Sequence, residues 1–221
     1  MRKNKLEITG DGSHSVFSND FQALYHSRHG AIQESMHVFI EAGLRFSESE
    51  SLNILEMGFG TGLNALLTYI ECEENNLHVQ YDTIEAYPLE LSSITSLNYL
   101  QKLDREDLNE EFMRMHTSSW NEEVIFGKFT LHKIEERLEL ASLSKSYDLV
   151  YYDAFAPLTQ EELWTDEIFK KIAGHMNSNG ILVSYCAKGS FKRALSNAGF
   201  EIHKIPGPPG KREMIRGVFR T

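Results

Sequence analysis

The chain has 221 residues, 41% of them apolar, and a formal net charge of −10; it holds enough apolar material for one core of ordinary size, and no Pro/Gly/Ser-rich linker divides it. Two cysteines, Cys72 and Cys186, exclude a disulfide framework and have no metal-ligand spacing, so ordinary buried thiols and no metal site are expected. The charged start MRKNKLEITG lacks the apolar core of a signal peptide, and no segment approaches the roughly 20 apolar residues of a membrane span, so a cytoplasmic protein without membrane attachment is expected.

Apolar periodicity predicts strands and helices in alternation, the pattern of a parallel sheet with crossover helices. A helix is expected at Met36–Leu44 and a strand at Leu52–Met57. That strand runs directly into Gly58-Phe59-Gly60-Thr61-Gly62 and then a helix over Leu63–Cys72. Glycines at alternate positions let the backbone take positive φ and approach a ligand, and the free N–H groups of the helix point back at it. The dinucleotide spacing G-x-G-x-x-G is not met, because position 63 is Leu. The E-x-G-x-G-x-G pattern beginning at Glu56 is instead similar to that of class I methyltransferases that bind S-adenosylmethionine.

The next strand, Val79–Ala86, brings Glu85 to its end, where an acid can accept hydrogen bonds from both hydroxyls of a ribose. The alternative for Glu85 is a solvent-facing terminus; Tyr87 beside it is either a partner for the adenine or a rim residue. A helical region around Leu89–Leu100 precedes a strand at Phe129–Ile134 that carries His132 and Lys133. The strand Tyr147–Ala154 delivers Asp153 to the carboxyl edge of the sheet, followed by the apolar loop containing Phe155 and by Pro157. A carboxylate there can orient an amine nucleophile and accept its proton; its other reading is a turn or helix cap. Further along come a helix at Glu161–Ala173, with Trp164 as a packing residue, a strand at Gly180–Cys186 and a helix at Ser190–Ala198. The last two strands, near Glu201–Ile205 and Glu213–Arg220, are separated only by Pro206–Lys211, too short for a crossover helix, so they are expected to form an antiparallel hairpin. The predicted class is α/β, a Rossmann-like class I methyltransferase fold with a mixed sheet. Residues 1–50 are read as an N-terminal extension closing the cleft and residues 51–221 as one compact unit.

Charge is uneven. From Ala187 to Thr221 eight bases stand against two acids, a balance of +6, so the total of −10 leaves −16 on the first 186 residues. Such a basic segment either steers a polyanion to one face or is simply a solvated surface.

Taken together, GFGTGLN at Gly58–Asn64, DAFAP at Asp153–Pro157 with LWT at Leu163–Thr165, AGF at Ala198–Phe200, GKREMIRG at Gly210–Gly217 and YHSRHGAIQESMHVFIEAGL at Tyr25–Leu44 resemble the tRNA methyltransferases that make 5-methylaminomethyl-2-thiouridine at the wobble position. The resemblance is to the stand-alone form of a domain otherwise fused to a flavin-dependent oxidase. It implies methyl transfer from S-adenosylmethionine to the 5-aminomethyl nitrogen of the wobble uridine, with the anticodon region of tRNA as partner. An upstream modification enzyme acting on the same tRNA would supply the amine. By the same resemblance Glu56, Gly58, Phe59, Gly60, Thr61, Gly62, Asn64, Glu85, Ala86, Tyr87 and Asp153 bind the cofactor, and Asp153 holds or deprotonates the amine. Tyr25, His26, Ser27, Phe155, Pro157, Lys211 and Arg212 are assigned to substrate, the last two through RNA phosphate, with Glu213 pairing with a base.

The chain departs from the fused family members at the third strand, where His132 and Lys133 replace a Gly-Asp pair; no side chain is assigned there to the adenine, and His132 is left as a rim residue. Two alternatives stay open. An aminopropyltransferase would share the sheet and the strand-end aspartate, and a non-catalytic RNA- or partner-binding module would keep the fold alone.

Overall fold

A computed structural model describes residues 4–220. Three short antiparallel strands, β1 (Lys5–Ile8), β2 (His14–Ser18) and β3 (Ala23–Leu24), form a small sheet. Helix α1 (Ala31–Ser35) continues as a π-helical stretch, Met36–Leu44, whose wider winding shows in the Arg45 N–H donating to the Ile40 carbonyl at 2.9 Å. Gly43 on this stretch lies against the sheet: a Cβ there would meet Val183 Cγ2 at 3.1 Å.

The main sheet contains β4 (Ser51–Met57), β5 (His78–Glu85), β6 (Glu123–Phe126), β7 (Phe129–Glu135), β8 (Tyr147–Tyr152), β9 (Met176–Ser184), β10 (Phe200–Pro206) and β11 (Glu213–Phe219). Its strand order is β10-β11-β9-β8-β4-β5-β7-β6. Pairings from β9 through β8, β4 and β5 to β7 are parallel; β11 is antiparallel to both β9 and β10, and β6 is antiparallel to β7. The crossovers carry α2 (Leu63–Asn75), the short α3 (Leu91–Ile94) and α4 (Tyr99–Lys102), α5 (Asn109–Thr117), α6 (Asp166–Ala173) and α7 (Gly189–Asn197).

Both faces of the sheet are covered, which is why its inner strands are apolar on consecutive residues. Tyr151 faces the side packed by the π-helical stretch and α2, against Phe39 and Tyr81; Tyr152 faces the other side, against Trp164, Phe169 and Phe191. The period-two alternation of a strand separates the two layers.

Several sequence expectations need correction. The predicted helix at Leu89–Leu100 is two single turns, α3 and α4, broken by the turn between them. The predicted helix at Glu161–Ala173 is a 3₁₀ turn, Glu161–Trp164, followed by α6, because the Thr165 side chain accepts the Ile168 N–H and starts a new helix. Helix α5 and strand β6 lack a strong apolar stripe: α5 buries only Phe112 and Met115, and β6 only Phe126. The small N-terminal sheet was also unforeseen, and the third parallel strand extends one residue past its expected end, to Glu135.

Candidate active site

At the carboxyl ends of β4, β5 and β8 lies a cavity of about 360 Å³, in the range of small-molecule sites and where open α/β sheets bind ligands. Its floor is the turn after β4, in which Gly58, Gly60 and Gly62 have φ of 88°, 49° and 72°. A Cβ on Gly58 would come within 3.3 Å of the Asp153 carbonyl oxygen, and one on Gly62 within 2.6 Å of His116 Nε2. Gly62 is also the N-cap of α2, so the first turn of that helix begins at the cavity.

Glu85, at the end of β5, ties this turn down: its carboxylate accepts the N–H of Gly60 at 3.0 Å and of Tyr87 at 2.8 Å. Phe59, Thr61, Asn64, Ala86 and Tyr87 line the same cavity. Tyr87, 52% exposed, stands at the mouth with Phe21, whose ring stacks 4.8 Å from that of Phe155.

Asp153 leaves β8 into the cavity, and its Oδ2 accepts the Asn64 Nδ2–H at 2.9 Å. Burial raises its pKa well above the ordinary carboxylate value, and the neighbouring Glu34 and Glu56 push the same way against Asn64 and Lys211. Glu56, expected to contact the cofactor, is instead fully buried in β4 and outside the cavity lining, and neither of its oxygens has a well-formed hydrogen bond. Burial pushes its pKa up to about 8, with Thr83, Asn64 and Tyr81 near enough to oppose the shift.

A carboxyl raised in the folded state contributes stability below its unfolded value of 4.5 and loses it as pH rises through the folded value. Glu56→Gln, which keeps the shape without the charge, is therefore expected to melt near wild type below pH 4.5. At pH 8 it is expected to be more stable by on the order of 3 kcal/mol, roughly 5–10 °C in Tm. Equal melting temperatures at pH 8 would show that the charge is accommodated.

The roof comes from the N-terminal segment. Tyr25 lies over Gly60, where a Cβ would meet its ring at 2.8 Å, and its ring packs 5.0 Å from Phe155. His26 has Nε2 at 3.4 Å from Thr61 Oγ1 and Nδ1 at 3.4 Å from Ser15 Oγ; burial pulls its pKa down to about 4, so it is neutral at pH 7. The Ser27 N–H donates to Glu34 Oε2 at 2.8 Å, and the other Glu34 oxygen accepts Lys211 Nζ at 2.7 Å. Lys211 lines the cavity; Arg212 is exposed and outside it, and Pro157 also stands outside the lining. Glu213 accepts Lys192 Nζ at 3.3 Å.

His132 is not a rim residue. It faces the buried Asp82, with Nδ1 3.5 Å from Oδ1, because it sits in the middle of β7 and not at its end. Lys133 is buried beneath the glycine turn, donating to the carbonyls of His116 and Ser118 at 3.2 and 2.8 Å and standing 4.7 Å from the Trp120 ring centre. The strand ends one residue later than expected, at Glu135, and Glu136–Glu139 beyond it line the cavity. Sequence reasoning also missed Tyr185, Gln160 and Phe21 in the lining. Tyr185 follows directly on β9, and reading every strand end alike would have found it.

The cradle fits S-adenosylmethionine: glycines where a Cβ would clash, a strand-end acid beside them, and the Asn64 Oδ1 buried without a partner. Six acidic residues line the cavity against Arg137 and Lys211, an electrostatic setting that favours cationic ligands such as a sulfonium or an ammonium.

Residues 98–220 match a protein family described as S-adenosyl-L-methionine-dependent methyltransferase. The tRNA 5-methylaminomethyl-2-thiouridine biosynthesis bifunctional protein MnmC of Pseudomonas syringae pv. syringae is 31% identical over 227 residues, covering 96% of this chain and 34% of that protein. The protein of the same name from Cupriavidus metallidurans is 30% identical, covering 96% of this chain and 33% of its own length. The chain thus spans about a third of the curated relatives it matches. Among solved structures, MnmC2 from Aquifex aeolicus superposes with a TM-score of 0.79 at 23% identity, covering all of this chain and 71% of that one. The N-methyltransferase NodS from Bradyrhizobium japonicum superposes at 0.50 and 10% identity, over 86% of this chain and 94% of the other. Both likenesses bear on the fold.

Proposed function

The chain belongs to the S-adenosyl-L-methionine-dependent methyltransferase family, and from that premise we propose that it methylates the 5-aminomethyl nitrogen of the wobble uridine in tRNA, giving the 5-methylaminomethyl product. The observation that carries this reading is Asp153, a carboxylate held by Asn64 beside the glycine turn in an acid-lined cavity. The names of the relatives, which concern 5-methylaminomethyl-2-thiouridine in tRNA, support it. The proposed setting is the cytoplasm, with the anticodon region of a tRNA as partner and an upstream enzyme providing the amine.

S-Adenosylmethionine supplies an already activated methyl group. Glu85 and the glycine turn would hold its ribose and amino-acid parts, and Glu136–Glu139 with Tyr87 would flank the base. An aliphatic amine is mostly protonated at neutral pH and has no lone pair to donate. Asp153, raised in pKa by its surroundings, takes the proton from nitrogen onto a carboxylate oxygen, while Asn64 fixes the orientation of that carboxylate. The freed lone pair would then form the new N–C bond as the sulfur–methyl bond breaks, its electron pair staying on sulfur in a neutral thioether that leaves. Alignment of nitrogen, carbon and sulfur within about 3–3.5 Å provides much of the acceleration. The N-terminal extension, residues 1–50, is proposed to close the cleft and exclude water through Tyr25, His26 and Phe21; its residues 1–3 lie outside the described residues.

The test is transfer of labelled methyl from S-adenosylmethionine to tRNA carrying 5-aminomethyluridine at the wobble position. Label is expected in that nucleoside; none in tRNA, with label in spermidine precursors offered alongside, would replace this reading by small-amine transfer. The basic C-terminal segment stands on an acidic body, so tRNA binding is expected to weaken at least tenfold between 50 and 200 mM salt. A filter-binding titration that is flat across this range would place the RNA on another face.

A further inference from the structure

Lys211 sits in the turn between β10 and β11, yet its ammonium lies inside the cavity wall. It donates to Glu34 Oε1 at 2.7 Å and stands 3.8 Å from the centre of the Tyr185 ring. A carboxylate on one side and an aromatic face on the other is an arrangement that recognises an alkylammonium. Glu34, Tyr185 and Lys211 line the same cavity as Asp153. Asn64, 3% exposed, spends its Nδ2 on Asp153 and leaves its Oδ1 without a partner.

The main chain around Lys211 is fixed. Pro206 has its carbonyl oxygen 2.9 Å from His37 Nε2, and Gly210, at φ +85°, is pressed so closely on the His29 ring that a Cβ would lie 2.2 Å from it. The Lys211 side chain, one-third exposed, is the part that can leave. Glu34 keeps its second oxygen on the Ser27 N–H whether or not the lysine is present.

We propose that Glu34 and the face of Tyr185 form the seat of the substrate's aminomethyl ammonium, held by Lys211 in the free protein and yielded when the tRNA enters. The assignment rests on the substrate reading of the preceding subsection. Exchanging one ammonium for another leaves no buried carboxylate uncompensated, which would be costly. The released lysine becomes a cation available to an RNA phosphate. Glu34 then holds the amine from one side and Asp153 from the other, and no bond is made or broken at the seat itself.

The experiment compares the affinities of wild type, Glu34→Gln, Tyr185→Leu and Lys211→Gln for two tRNAs that differ only in 5-aminomethyluridine against unmodified uridine at the wobble position. Wild type is expected to prefer the amine about tenfold. Glu34→Gln should lose this preference, Tyr185→Leu should narrow it, and Lys211→Gln should keep or widen it. A structural clasp between Glu34 and Lys211 would instead make both variants lose it together. Retention of the preference in Glu34→Gln, or its loss in Lys211→Gln, overturns the seat, and Tyr185→Leu decides if Glu34→Gln fails to fold. Methyl transfer by the wild type is measured in parallel: its absence overturns the substrate reading, whereas transfer without any amine preference overturns only the seat.

Discussion

Asp153→Asn is expected to slow methyl transfer to aminomethyl-tRNA by about 10²- to 10⁴-fold, the usual weight of a positioned proton acceptor. Binding of S-adenosylmethionine, followed by thermal shift, should change little. Asparagine fills the same space and can still meet Asn64, so the cavity survives while the charge and the proton-accepting oxygen are lost. The pH profile adds a sign. Because burial, Glu34 and Glu56 raise the Asp153 pKa well above 3.8, the protonated form persists to higher pH than for an ordinary aspartate. The wild-type rate should therefore fall, as pH is lowered, through a limb above the usual carboxylate range, and that limb should be missing in Asp153→Asn. A variant retaining more than a tenth of the wild-type rate at every pH would remove Asp153 from proton transfer.

Glu85→Ala is expected to weaken S-adenosylmethionine binding by about 10- to 100-fold. This side chain supports the site twice. It accepts the N–H groups of Gly60 and Tyr87, and its remaining lone pairs face the cavity, where a ribose would sit. Alanine leaves the buried Gly60 N–H without its acceptor, at roughly 1–3 kcal/mol, and releases the part-buried Tyr87 N–H, so the glycine turn loosens even before a ligand is present. Glu85→Gln separates the two contributions, since the amide oxygen can serve one N–H while its NH₂ opposes the other. Isothermal titration of both variants should rank them wild type, Gln, Ala. An unchanged affinity in Glu85→Ala would dissociate the acid from the cofactor.

How far the sequence could be read depended on what each signal measures. The glycine turn was legible because Gly58, Gly60 and Gly62 follow an apolar strand directly, and their positive φ is a local backbone requirement. Asp153 and Glu85 were legible because they close strands whose apolar runs are unambiguous. Periodicity gave less where burial is slight: α5 and β6 each bury little, and the three N-terminal strands bury few apolar side chains, with hydrogen bonds among Thr9, Asp11 and Ser13 fixing the turn between the first two. The end of β7 was misread because the alternating LHKIE pattern does not say where pairing stops; its pairing with β5 runs through Glu85 and Glu135. That displacement of the strand end hid Glu136–Glu139 and lent His132 a role it does not have. The seat at Glu34 was least legible of all, since the lysine that fills it is 177 residues away in the chain.

The strand order also bears on how this protein is made. The last strand of the sheet in chain order, β11, does not sit at its edge but between β9 and β10. A ribosome releases residues in sequence, so Ile181, Leu182 and Val183, buried in the finished molecule, wait with an open hydrogen-bonding edge until Glu213–Phe219 emerges. Unpaired apolar edges invite pairing with other chains. A nascent polypeptide halted before residue 213 would therefore present a sticky ledge where the finished sheet presents the wall that carries Lys211, and chaperone demand should peak just before residues 213–219 emerge.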